Sequence, residues 1–379
     1  MQAMDSAQSQ LIQIAERVRA AAADATPLRI RGGGTKDFHG LALQGELLDT
    51  RALAGVVSYE PSELVVTVRA GTPLAEVEAL LAAQGQCLAF EPPHFEGADG
   101  CATVGGMVAA GLSGPSRASV GAVRDFMLGL EMINGQGELL RYGGQVMKNV
   151  AGYDVSRLMA GSWGTLGLIT EVSLKVLPVA PAEATLRFEC TQQQALDWLN
   201  AWGGQPLPLN ASCWLQEDSA AQGVLYLRLR GARAAVQAAC GRLGGERMHS
   251  AAADWQACRE HQLPWFTARA PGHALWRLSV PQTAPVLALP DGCTGPLVEW
   301  HGALRWVQAP RALGHALRAL AKAAGGSATL FRSEATGQPG AEPDFDAQAA
   351  DATAALHARL KQAFDPAGIF NRGRLAAAW

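Results

Sequence analysis

The stretch Leu28–Phe38, LRIRGGGTKDF, decides how the rest of the chain reads. Leu28 to Arg31 alternates apolar and charged residues, which predicts a short strand. Three glycines follow it directly, between Arg31 and Lys36. Consecutive glycines leave backbone N–H groups unshielded, and two flanking cations suit an anion. The spelling matches neither common phosphate loop. Asp37 stands where a G-x-G-x-x-G would need its third glycine, and no G-x-x-x-x-G-K follows.

Upstream, Leu11, Ile14 and Val18 recur at helical spacing and predict an amphipathic helix over 6–23. Downstream, strands are expected at Leu28–Arg31, Gly55–Tyr59 and Leu64–Arg69, and then a helix. Thr72 is expected as its N-cap, Pro73 as its first residue and Gly85 as its end. From Gly97 to Gly167 the chain is rich in glycine and small residues and poor in charge, which predicts backbone wrapped closely around something bulky. Asn134-Gly135-Gln136-Gly137 marks a hairpin. Pro178 and Pro181 suggest a boundary. Beyond it, residues 184–332 alternate strands with helices at 191–202, 232–243 and 311–323. That order predicts an antiparallel sheet with helices on one face. Residues 334–346 read as a linker and 347–364 as a closing helix.

Composition narrows the function. Of the 379 residues, 49% are hydrophobic and 17% charged, and the net charge is −3, so a nucleic-acid partner is not expected. The apolar runs are too short to span a bilayer, and the first residues carry no secretory pattern, so a cytoplasmic protein is expected. The seven cysteines are scattered and the histidines show no paired spacing. No metal or iron–sulfur site is expected in this chain.

Three glycine-bearing segments, the opening loop, CATVGGMVAAGLSGP (101–115) and GSWGTLGLITEV (161–172), together resemble the FAD-binding domains of the vanillyl-alcohol-oxidase and p-cresol-methylhydroxylase (PCMH) type. The resemblance implies that Arg31, Gly32, Gly33, Gly34, Thr35 and Lys36 wrap the FAD pyrophosphate. It implies that Ala102, Thr103, Gly105 and Gly106, with Ala110, Gly111 and Ser113, pass along the flavin. Gly164 to Glu171, Gly167 and Ile169 among them, would touch the adenine half. Pro92, Gly121, Asp125 and Asn371 are carried over as further cofactor contacts, although Arg372 stands where that family usually has proline. Some members bind flavin covalently through a histidine beside the first loop. Thr35 stands there in this chain, so non-covalent FAD is expected, with His39 a solvent-exposed loop residue.

EPPHF (91–95), GAVRDFMLG (121–129), VMKNVAGYDVSRLM (146–159), PWF (264–266), GALRW (302–306) and FDPAGIFNRGR (364–374) extend the likeness. Over nearly the whole chain it is similar to the FAD-binding subunits of bacterial glycolate oxidases. This implies an α+β fold: a two-part PCMH-type FAD-binding domain over 1–180, an antiparallel-sheet α+β cap over 181–340, and a segment over 341–379 returning to the FAD domain. It implies oxidation of glycolate or a similar 2-hydroxy acid, with a larger FAD-containing subunit and an iron–sulfur subunit as partners. No transmembrane segment is expected, and any membrane association would be peripheral, at the inner membrane through the complex.

Oxidising a 2-hydroxy acid needs a cation for the carboxylate and an acceptor for the hydroxyl proton. Arg277, Arg305 and Arg332 each fall on a predicted cap strand and are the candidate carboxylate clamp, on the expectation that they share one face of the sheet. His94 is the candidate histidine near the flavin, and Lys148 and Tyr153 are candidates near the cofactor or an interface. Three readings stay open: oxidation at this chain's own FAD, an auxiliary flavin beside a catalytic partner, or a free-standing FAD dehydrogenase of another hydroxy acid.

Overall fold

The computed structural model describes residues 2–95, 100–144, 154–216, 222–333 and 352–376. Lys148, Tyr153 and the 334–346 linker lie outside the described residues. The chain opens with helix Gln2–Ala23. Its apolar stripe ends on Val18 and Ala21, which pack against Leu28, Leu48, Ile133 and Phe370. Strand Leu28–Arg31 pairs in parallel with Glu46–Asp49, and on its other side Leu28 bridges Phe370 from the far end of the chain.

The larger part of this first lobe is an antiparallel five-stranded sheet in the order Val56–Glu60, Val65–Arg69, Leu168–Lys175, Met127–Ile133, Leu139–Gly143. The last two strands form the expected hairpin. Asn134 Oδ1 accepts from the N–H groups of Gln136 and Glu138, both at 3.0 Å, and so shapes the turn. Helix Leu74–Ala82 begins one residue later than expected, with Pro73 at the N-cap. Thr72 is drawn away by its other partners: its hydroxyl donates to Arg69 O at 2.7 Å and accepts from Gly55 N at 2.9 Å. The short helix Val104–Ala110 is capped by Thr103, whose Oγ1 accepts from Gly106 N, and stops at Gly111 with φ 63°.

The second lobe is an antiparallel eight-stranded sheet: Glu246–Met248, Ala182–Cys190, Gly223–Gly231, Leu209–Leu215, Thr294–Glu299, Leu304–Pro310, His273–Ser279, Ser327–Arg332. Helices Gln192–Gly203, Arg233–Leu243 and Gly314–Ala323 cover one face, over Leu186, Leu225, Trp214, Trp276, Leu278 and Val307. Burying each large apolar side chain there contributes about 1.5–3 kcal/mol. The opposite face carries Ala211, Cys213, Leu275, Leu304, Trp306 and Phe331, and it packs on Phe38, Phe95, Leu112 and Trp163 of the first lobe. Both faces are therefore buried. Strand Thr294–Glu299 and helix Ala252–Arg259 had no counterpart in the sequence reading. The closing helix Ala352–Phe364 returns to the first lobe, where Gly135 N donates to Phe364 O at 2.8 Å. Among the described residues no helix is long and apolar enough to cross a membrane.

Candidate functional site

The fold gathers the three glycine segments and the C-terminal turn around one groove. Arg31 to Lys36, Thr103, Gly105, Gly106, Ala110, Gly167, Ile169 and Asn371 all line it. Ile30, Thr50, Trp163, Gly164 and Arg374 also line it. The glycines are there for close approach. A Cβ on Gly32 would overlap Thr103 Oγ1, and one on Gly33 would overlap the carbonyl of Cys101. Gly34 has φ 73°, a left-handed turn that glycine adopts without strain.

The charges are arranged around that turn. Arg31 Nε donates to Asp37 at 2.6 Å. Lys36 is 8% exposed and donates to Thr35 Oγ1 and His94 O, both at 3.2 Å. Burial pushes its pKa down to about 8, Glu260 opposes this, and Arg332 adds to it. A phosphate beside Lys36 would favour its charged form. The C-terminal turn braces the groove. Asn371 Oδ1 accepts from Ile30 N at 2.8 Å, while its Nδ2 donates to Trp163 O at 2.7 Å. Arg374 donates to Lys36 O at 2.7 Å and lies over the Trp163 ring. A glycine cradle, two cations and a threonine hydroxyl fit the pyrophosphate of FAD, which carries about two negative charges.

Other expected contacts fall elsewhere. Ala102 and Pro92 are buried and are not among the groove's lining residues. Gly111 packs on Gly161 behind the helix. Gly121 and Asp125 serve each other: Gly121, with φ 102°, abuts the Asp125 carboxylate, which accepts from Ala122 N at 2.8 Å. Ser113 Oγ accepts from Val123 N at 3.2 Å and lines a second, narrow cavity between the lobes. His39 is not solvent-exposed. It is 3% exposed and stacks on Trp163, ring centroids 4.1 Å apart, because the packed lobes close over the loop.

The cap strands separate the three arginines. Register pairs Arg277 with Trp306 and Arg305 with Leu278. Paired residues share a face, so Arg277 points to the first lobe and Arg305 to the helices. There Arg305 is 1% exposed and donates to the carbonyls of Ala284 at 2.7 Å, Pro285 at 2.5 Å and Gly302 at 3.3 Å. Arg305 is thus excluded from a shared clamp. An irregularity opposite Leu275 and Trp276 turns Arg332 to the first lobe, 3.7 Å from the Phe38 ring centroid. Burial and Arg269 lower its pKa to about 10, still cationic at neutral pH. His94 Nε2 meets Glu78 Oε2 at 3.0 Å, and its N–H donates to Glu260, so it is held at the lobe boundary.

The narrow cavity holds groups the sequence did not single out. Glu299 and His261 line it with Arg277, Phe95 and Trp300. Glu299 is 4% exposed and accepts from Trp306 Nε1 at 2.7 Å and Cys258 Sγ at 3.3 Å. Burial pushes its pKa up to about 7, against the pull of those donors and of Arg277. Burial, with Arg332 and Arg277, holds His261 well below its ordinary value and so neutral. Neither residue has a spacing signal. His261 stands in EHQLPWF, and Glu299 ends a strand that the sequence reading lacked.

Comparison with known proteins agrees with this architecture. Residues 9–143 match an FAD-binding domain model. Two solved structures share the fold at low identity. p-Cresol methylhydroxylase with substrate bound aligns at TM-score 0.66 and 14% identity, over 96% of this chain and 87% of its own. Alkyldihydroxyacetonephosphate synthase aligns at TM-score 0.62 and 15% identity, over 94% and 74%. Glycolate oxidase subunit GlcD of Bacillus subtilis is 30% identical over 162 residues, 42% of this chain and 34% of that protein. Glycolate oxidase subunit GlcE of Escherichia coli is 46% identical over 363 residues, 96% of each chain. The likeness covers nearly the whole chain, and the chain belongs to the family of glycolate oxidase subunit GlcE, built on a PCMH-like α+β fold with an FAD-binding domain.

Proposed function

We propose that this chain is the FAD-carrying subunit of a complex that oxidises glycolate, or a 2-hydroxy acid of similar size, to glyoxylate. Electrons would pass through a partner iron–sulfur subunit toward a quinone, beside a larger flavin subunit, with any inner-membrane attachment peripheral and through the complex. The observation that carries this reading is the glycine groove, in a chain 46% identical from end to end to a glycolate oxidase subunit.

The Arg31–Lys36 turn, with Gly105 and Gly106 facing it, would hold the pyrophosphate, and Gly164–Ile169 the adenine half. Bound non-covalently, FAD supplies the acceptor for the hydride that leaves the α-carbon. The protein's own part is to hold the carboxylate, accept the hydroxyl proton and exclude water. The layer of Phe38, Phe95, Trp306 and Phe331 serves the last task. Of the three clamp candidates, Arg277 and Arg332 are the two on the sheet face toward the first lobe. A second reading, with substrate chemistry in the larger subunit, draws support from His94, whose ring is engaged by Glu78.

Anaerobic addition of glycolate to the FAD-loaded chain, alone and then with both partner subunits, tests the reading. Bleaching of the flavin absorbance in the isolated chain is the expected result. Bleaching only with partners would transfer the chemistry to the larger subunit. A flavin oxidised in both states would overturn the proposal.

A further inference from the structure

Helix Ala252–Arg259 and the short helix Pro264–Thr267 pack on the second-lobe sheet, where Trp255, Cys258 and Phe266 join Cys213, Leu297 and Trp306 in one cluster. Between this two-helix roof and the sheet lies a cavity of about 480 Å³. Sites for small molecules commonly measure about 300–1,000 Å³. Every residue that lines the cavity belongs to the second lobe, and none of them lines the FAD groove.

Three observations define what it could take. Its lining has no lysine, arginine or histidine, and its one charged member, Asp254, is exposed. A carboxylate or phosphate would find no counter-charge on these walls, in contrast to the FAD groove with Arg31, Lys36 and Arg374. Aromatic side chains stand on both sides, Tyr226 on the sheet and Trp255 and Trp265 on the roof. Trp265 is fixed in place. Its ring meets Phe266 edge-on at 5.0 Å, and Gly295 lets it lie against the sheet, since a Cβ there would come within 2.8 Å of it. Finally, Gln308 is 2% exposed and lines the cavity. Its Nε2 donates to the Trp265 carbonyl, which fixes the amide, and among the described residues nothing donates to its Oε1. An acceptor left open on a buried side chain calls for a donor.

We infer that this cavity is a binding site for an uncharged, flat aromatic molecule of two or three rings, stacked among Tyr226, Trp255 and Trp265 and donating one hydrogen bond to Gln308 Oε1. Ring–ring contact favours a flat aromatic occupant over an aliphatic one of equal area. The open amide oxygen favours one that carries an N–H or O–H group. The site gives this subunit a second small-molecule pocket, and it does not depend on the glycolate reading, because no residue of the FAD groove contributes to it.

The test uses the full-length, FAD-loaded chain, so that the groove is filled, and two dyes that share one ring skeleton. N-phenyl-1-naphthylamine is uncharged and carries an N–H donor; 8-anilinonaphthalene-1-sulfonate adds a sulfonate. Energy transfer from tryptophan to the dye reports binding, since Trp255 and Trp265 line the cavity. The uncharged dye should bind saturably at one equivalent, and the sulfonate about tenfold or more weakly. Ala251→Trp, which places a ring in the cavity, should abolish that binding at unchanged flavin content. Gln308→Leu should weaken the uncharged dye about three- to tenfold, as the loss of one hydrogen bond. Asp254→Lys should tighten the sulfonate and leave the uncharged dye within about twofold. Equal affinity for the two dyes overturns the inference, as does no saturable binding or binding that Ala251→Trp leaves intact. An unchanged affinity in Gln308→Leu overturns the assigned hydrogen bond. If either buried variant does not fold, the exposed Asp254→Lys decides, and a sulfonate affinity that it does not raise overturns the site.

Discussion

Glu299 is a buried carboxylic acid whose surroundings oppose its charge. Its carboxyl sits at about 7 in the folded protein, against an ordinary 4.5, because burial outweighs the Trp306 and Cys258 donors and the nearby Arg277, with the Glu91 charge adding to the rise. A group whose folded pKa is raised binds its proton more tightly in the folded state. Its stabilising contribution is therefore complete below the unfolded value and is lost as pH rises through the folded one. Between pH 5 and pH 8 the protein should lose roughly 2 kcal/mol relative to Glu299→Gln, which stays neutral throughout. Urea unfolding of both proteins at the two pH values checks this. Parallel pH profiles would show that the carboxyl titrates as it does in water.

At the scale of elements, a buried ion pair anchors the end of the closing helix. Lys361 donates to Thr165 O at 2.7 Å and Phe370 O at 3.1 Å, and it pairs with Asp365 at 2.7 Å. Asp365 is 1% exposed and in turn accepts from the N–H groups of Ile369 and Phe370. This network orders the turn that presents Asn371 to Ile30 and Trp163. Burial lowers the Lys361 pKa and Asp365 opposes the shift, so the pair acts as a unit. Lys361→Met would leave Asp365 buried without its cation, at a cost of about 3–5 kcal/mol. We expect that loss in urea unfolding, together with weaker FAD retention on gel filtration. Full retention would mean that the turn holds its shape unaided.

At the scale of the whole molecule, two carboxylates latch the lobes. Glu91, in the first lobe, takes two bonds from Arg228 at 2.6 and 2.8 Å and one from Arg230 at 2.6 Å, both on a cap strand. Burial alone would raise its pKa, but Arg228 and Arg230 hold it below the ordinary range. Glu260, from the cap, accepts from the N–H groups of His94 and Phe95 at 3.1 and 2.7 Å. Both latches border the narrow cavity through the 91–95 turn. Glu91→Gln leaves Arg228, 2% exposed, without a full counter-charge and should cost about 2 kcal/mol or more. Amide hydrogen exchange should then quicken in the 91–95 turn and in strand Gly223–Gly231. Unchanged exchange in both segments would show that apolar packing alone joins the lobes.

Local chemistry was legible in the sequence. Three glycines between Arg31 and Lys36, Gly105-Gly106 in the second glycine segment, and Asn134-Gly135 at a hairpin each state a backbone requirement within a few residues. The fold and the family came from the resemblance that the three glycine segments and the longer motifs carry. What depended on register was not legible. Alternation placed Arg277 opposite Trp276 and Leu278, but in Leu304–Pro310 both faces are apolar, so no pattern told which face Arg305 takes. One irregularity beside Trp276 redirected Arg332. His39 read as exposed because its burial comes from Trp163 and Phe331, far away in sequence. His261 and Glu299 meet only because a strand and a helix absent from the sequence reading pack on the same sheet face. The sequence by itself determined the glycine turn that lines the groove, because a tight turn with unshielded amides is a short-range property of the backbone. Only the tertiary structure decided which charges face the cavity, because strand register and lobe packing are set by the summed burial of residues hundreds of positions apart.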